Sequence, residues 1–181
     1  IDLLGRSITV ESENGSASCI IDCRHQGRGF IMNKIIQDSE PNIIIKGFTI
    51  KNGVANINPH PDYTETSPAY IEHGFTGGII YGNDITCQLS DCIISNGYSS
   101  FQAGGGYFQN SNVNISNCLF YKNRSQNGGA ICFFNCELTL KNTKIVHNKV
   151  KYSAAPIALN NSNMIMSNCT VVDNQGEYIG L

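Results

Sequence analysis

At 181 residues the chain is long enough for one domain with a buried core. Its formal net charge is −2 and only 14% of its residues are charged, so it has no basic field to hold nucleic acid. No apolar run approaches the roughly 18 residues that a membrane-spanning helix needs, so no membrane insertion is expected of this segment.

The opening segments set a pattern. SITVESENG (7–15), IIDCRHQGRGF (20–30) and IIIKGFTIKNG (43–53) hold short apolar runs between breaks. Apolar residues at period two predict strands with one face buried. The breaks draw on glycine and asparagine, of which the chain holds 18 and 22. Both tolerate left-handed backbone, so many tight turns are expected rather than disorder. Arg24, His25 and Arg28 form the densest basic cluster, and a long turn is expected to expose them.

Residues 54–76, VANINPHPDYTETSPAYIEHGFT, interrupt the pattern with three of the five prolines. This segment is expected to loop out of the fold, and loops on a rigid scaffold are where binding residues concentrate. Its titratable and aromatic groups, His60, Asp62, Tyr63, Glu65, Tyr70, Glu72 and His73, form the candidate ligand- or partner-contact set.

Beyond the loop the chain repeats itself. Alignment on Gly47, Asp91, Asn117, Asn142 and Asn168 gives a first interval of 44 residues and then steps of 26, 25 and 26. Two positions earlier stand Ile45, Leu89, Ile115, Leu140 and Met166, and four earlier Ile43, Cys87, Val113, Leu138 and Met164. Three positions later come Ile50, Ile94, Phe120, Ile145 and Val171. Columns that keep their character at a fixed period predict a solenoid, each coil lying about 4.8 Å from the next. The Gly/Asp/Asn column marks a positive-φ bend between two strands. A third strand is expected to begin at Gly77-Gly78, Gly105-Gly106 and Gly128-Gly129, with Ala155-Pro156 in the last copy. The expected fold is one all-β domain over 1–181, a parallel solenoid of about five to six coils with three short strands each.

Four cysteines, Cys87, Cys92, Cys118 and Cys169, occupy columns filled elsewhere by Val, Leu, Met, Phe or Thr. They are expected to be buried thiols packing as small hydrophobes. Cys92 and Cys118 fall in adjacent coils, where a disulfide is geometrically open. Cys132 and Cys136 are four apart, as are Cys19 and Cys23, but no nearby pair completes a tetrahedral set, so no metal is expected. Carboxylates are thinly spread: Asp91 stands where other copies have asparagine, and Asp173 aligns with Asn96, Lys122 and His147 in a polar surface ladder. That is a poor acid pair, and neither catalytic residues nor a cofactor are expected.

Gly128-Gly129-Ala130-Ile131, with Phe120-Tyr121-Lys122-Asn123 before it, resembles the GGAI and FxxN motifs of polymorphic outer-membrane proteins, which are surface-exposed autotransporter adhesins. The three opening segments resemble the first coils of bacterial secreted right-handed β-helix repeat proteins. The resemblance implies a right-handed parallel β-helix of the pectin-lyase-like class. It further implies an extracellular or cell-surface module used as stalk, adhesive surface or filament unit. The alternative is a carbohydrate-active enzyme, a polysaccharide lyase, hydrolase or epimerase, on the same scaffold. Neither IDLLGRSITV nor EYIGL carries a polar cap, so the solenoid is expected to continue in a longer chain or to meet other copies end to end. Glycans and surface proteins are the other partners expected.

Overall fold

The computed structural model describes residues 1–34, 40–55, 75–152 and 155–176, and among them every regular element is a strand. The strands form four parallel sheets. The first sheet holds β1 (Ile8–Glu11), β4 (Asn42–Lys46), β8 (Thr86–Ser90), β12 (Asn112–Ser116), β16 (Glu137–Lys141) and β20 (Asn163–Ser167). The second holds β2 (Ile20–Asp22), β5 (Thr49–Lys51), β9 (Ile93–Ser95), β13 (Leu119–Tyr121), β17 (Lys144–Val146) and β21 (Thr170–Val172). The third is made of two-residue strands: β6 (Val54–Ala55), β10 (Tyr98–Ser99), β14 (Arg124–Ser125), β18 (Lys149–Val150) and β22 (Gln175–Gly176). The fourth holds β3 (Phe30–Asn33), β7 (Ile80–Asn83), β11 (Gly106–Gln109), β15 (Ile131–Phe134) and β19 (Ile157–Asn160). From β3 onward each coil visits the fourth, first, second and third sheets in turn, which makes a parallel solenoid of about five turns.

Register follows the sequence columns. Ile43, Cys87, Val113 and Leu138 pair from coil to coil and are buried, as are Ile45, Leu89, Ile115 and Leu140. Ile50, Ile94, Phe120 and Ile145 line the second sheet's inner face, each fully buried. On the fourth sheet Phe108 and Phe133 stack with ring centroids 5.6 Å apart. Gly82 is the preceding member of that column, and a Cβ there would stand 2.8 Å from the Phe108 ring. Glycine therefore makes room for the first phenylalanine of the stack.

Three differences from the expected layout have physical causes. From β3 onward each coil has a fourth strand, too short for a two-residue alternation to reveal. Val54 and Ala55 pair with Tyr98 and Ser99, and Thr76 bridges to Gln102, so both edges of the expected 54–76 insertion belong to the coil. The glycine pairs are also shifted: Gly77-Gly78 and Gly128-Gly129 align with Ala103-Gly104, not Gly105-Gly106. Gly77, Ala103 and Gly128 carry the left-handed φ of that bend, at 63°, 55° and 59°. In the last coil the same register sets Ala155 opposite Gly129 rather than Gly128.

On the outer face of the fourth sheet, Tyr81, Tyr107 and Cys132 form a second buried cluster with Ala103. The two tyrosine rings stack at 5.9 Å, and the Arg28 guanidinium lies 5.5 Å above Tyr81. Arg28 donates to the carbonyls of Thr76 and Gly77 at 2.8 and 2.9 Å. It is half-buried, unlike exposed Arg24 and His25, because these carbonyls of the following coil hold it against the wall.

Candidate functional site

Bends between sheets present side chains, and each is built on one left-handed residue per coil. Between the first and second sheets these are Gly47, Asp91, Asn117, Asn142 and Asn168, with φ of 77°, 55°, 53°, 50° and 52°. Their exposed side chains are linked where Asn117 Nδ2 donates to Asp91 Oδ1 at 3.1 Å. Between the second and third sheets the residues are Asn52, Asn96, Lys122, His147 and Asp173, with φ between 54° and 57°.

After Asp91, Asn117, Asn142 and Asn168 the next residue turns inward and donates to the carbonyl two residues back, which the bend has removed from the ladder, whereas Phe48 after Gly47 has no side-chain donor. Cys92 donates to Ser90, Cys118 to Ser116 and Cys169 to Ser167 at 3.1–3.2 Å, and Thr143 Oγ1 donates to Lys141 at 2.9 Å. These thiols therefore act as donors in a column shared with threonine, not simply as small hydrophobes. Cys87 lies in the wholly apolar column, and burial pushes its thiol up to about 12. Cys118 shares a hydrogen bond with Cys92, and this bond and burial hold its thiol strongly toward the protonated form. Cys87, Cys92 and Cys118 are buried, whereas Cys169 is only half-buried, because no described coil packs beyond it. All eight cysteines are free, and Cys132 and Cys136 belong to separate clusters, one outside and one inside the wall. Among the described residues no group of three His, Cys, Asp or Glu is placed to hold a metal.

After Lys122, His147 and Asp173 the inward residue is an asparagine. Asn123 and Asn148 are fully buried, and Asn148 Nδ2 donates to Asn174 Oδ1 at 2.9 Å and to the Phe120 carbonyl at 3.0 Å. In earlier coils this position is Gly53 or Gly97, and a Cβ on Gly97 would lie 2.0 Å from the Gly104 carbonyl oxygen. With the asparagine turned in, the residues on either side stand out as two rails. One rail is Lys122, His147 and Asp173; the other is Arg124, Lys149 and Gln175, paired in register. Between them runs an open groove of about 450 Å³ that Tyr121 also lines. Lys122 Nζ lies 4.9 Å over the Tyr121 ring, and His147 meets the ring edge-on at 5.6 Å. The first rail is legible as a polar ladder in the sequence. The second belongs to the unrecognised fourth strand, although its signal, a basic residue two positions on in two consecutive copies, is present.

The candidate contact residues His60, Asp62, Tyr63, Glu65, Tyr70, Glu72 and His73 lie outside the described residues. A family model described as right handed beta helix region matches residues 62–181, more than half of the chain. The chain belongs to the right-handed β-helix family. In this β-helix the same columns extend upstream of the matched region, since β4 and β5 pair in register with β8 and β9. No curated protein and no solved structure matches the chain.

Proposed function

We propose that this β-helix is a non-catalytic module of the cell surface or extracellular space, serving as stalk, adhesive wall or assembly unit and stacking end to end on further coils. The observation that carries this reading is the face of the coil β19–β22 that stands open among the described residues. Leu159, Met166 and Val171 continue the core columns yet are 43%, 46% and 38% exposed, while Phe133, Leu140 and Ile145 one coil earlier are 0% exposed. A further coil would cover these side chains and pair the strand edges beneath them.

The carboxylates support the same reading, because they stitch one coil to the next. Glu11 pairs with Lys46 at 2.8 Å, Asp22 accepts from Asn52 at 2.9 Å, and Glu137 accepts from Asn163 at 2.7 Å. The surface location rests on the resemblance to outer-membrane adhesins and secreted β-helix repeats.

Sedimentation velocity over a wide concentration range tests the stacking. The 181-residue chain should associate as concentration rises, and Leu159→Lys with Val171→Lys should abolish this. A monomer at every concentration would overturn it.

A further inference from the structure

The two-rail groove concentrates positive charge in a chain whose net charge is −2. Lys122 and His147 are register neighbours on one rail, and Arg124 and Lys149 on the other. Coils lie about 4.8 Å apart. Across the groove, residues two apart in sequence have Cα atoms no more than about 7 Å apart. Four basic side chains therefore surround one small space, and among the described residues of the groove lining Asp173 is the one that brings a negative charge. The ion pairs seen among the described residues involve Lys46 and Lys51, so Lys122 and Lys149 are not neutralised by one there.

The limits of the charge say what would fit. Along the rails the coil before this quartet carries Asn96 and Tyr98, and the coil after it carries Asp173 and Gln175. The cationic stretch is thus only two coils long, bounded by hydrogen-bonding groups and by a tyrosine that is 37% exposed. A nucleic acid carries a charge on every nucleotide and would run its backbone onto the Asp173 carboxylate. A sugar chain with an occasional acidic group meets no such conflict. Its carboxylate or sulfate would sit among the quartet, its hydroxyls would donate to Asp173 and Gln175, and the half-buried face of Tyr121 offers an apolar floor.

We propose that the groove between the Lys122–His147–Asp173 and Arg124–Lys149–Gln175 rails binds an acidic glycan segment. This deepens the adhesive part of the proposed function and rests on it, but not on end-to-end stacking.

The test uses the whole chain with defined hexasaccharides at low ionic strength, by isothermal titration calorimetry. Hyaluronan supplies carboxylate alone, chondroitin sulfate supplies sulfate as well, and oligothymidylate supplies phosphate on every unit. The informative variant is Lys122→Asn with Lys149→Gln. Asparagine occupies the same left-handed position at Asn52 and Asn96, and glutamine the same strand position at Gln175, so the coil already accepts both. The control is Lys141→Gln with Lys144→Gln, an equal charge change outside the groove lining. At least one glycan should bind, with affinity falling as salt rises and dropping about tenfold or more in the groove variant. The control should change affinity by less than about twofold. Binding of both glycans identifies carboxylate as sufficient, and binding of chondroitin sulfate alone identifies sulfate. The proposal is overturned if neither glycan binds, if both variants weaken binding equally, or if oligothymidylate binds as tightly. Sedimentation of the groove variant should match the parent chain, so a failure of stacking is read separately from a failure of glycan binding.

Discussion

Asn123 Nδ2 donates to Asn148 Oδ1 at 3.1 Å across two coils, and the same oxygen accepts the Asn123 backbone N–H at 2.9 Å. Asn148 repeats the arrangement with Asn174, at 2.9 Å from its side chain and 3.0 Å from its backbone. One side chain per coil thus replaces the ladder bond that the bend breaks, in a place where water does not reach. A buried polar group left without a partner costs far more than an ordinary hydrogen bond contributes. Asn148→Ala would orphan the Asn123 N–H and remove the donor to the Phe120 carbonyl. It should lower stability by about 2–4 kcal/mol in urea unfolding. A loss below about 1 kcal/mol would mean the ladder is dispensable.

The bend after the first sheet makes a different demand, on backbone alone. Asn142 is exposed with φ of 50°, a region asparagine and glycine enter easily and β-branched residues do not. Asn142→Val should cost about 1–2 kcal/mol, whereas Asn142→Gly should stay close to the parent. Equal stability of the two variants in chemical denaturation would remove the strain argument.

These two bends also show what could be read beforehand. Stacked coils force like residues into one column, so Ile43, Cys87, Val113 and Leu138 announce themselves, and positive φ narrows the turn column to Gly, Asp and Asn. The third sheet leaves a much weaker trace: Val54-Ala55, Tyr98-Ser99, Arg124-Ser125 and Lys149-Val150 share little in two positions beyond the basic pair Arg124 and Lys149. The bend before the fourth sheet is misread for another reason. The triplet Gly104-Gly105-Gly106 offers several registers, and the structure puts Ala103, a poor left-handed residue, at the bend itself. The groove is half-legible on the same grounds, since one rail follows a recognised column and the other lies on an unrecognised strand.

Cysteine substitutions should divide by column. Cys118 donates its thiol to the Ser116 carbonyl and its backbone N–H to Thr143 Oγ1 at 3.3 Å. Cys118→Thr keeps a donor in place and should change stability by less than about 1 kcal/mol. Cys87 sits among Ile43, Val113, Leu89 and their neighbours in the apolar core, so Cys87→Ser should cost about 1–3 kcal/mol. Thermal or urea melts of the two variants decide the matter, and a reversed order would contradict the column assignment.

The buried thiols should also make the fold sensitive to alkali. Burial pushes both Cys87 and Cys132 up to about 12. Above the ordinary thiol range the unfolded chain releases protons that the folded chain retains. Stability is therefore whole below that range and declines as pH rises toward about 12, by about 1.4 kcal/mol per pH unit for each thiol. Other groups titrate in the same window, so the comparison is with Cys87→Val and Cys132→Ala, residues already present in those columns at Val113 and Ala158. Urea unfolding of the parent and the double variant, from neutral pH to about pH 10.5, should give a steeper alkaline decline in the parent. Superimposable pH profiles would show that these thiols ionise as readily in the folded chain as in the unfolded one.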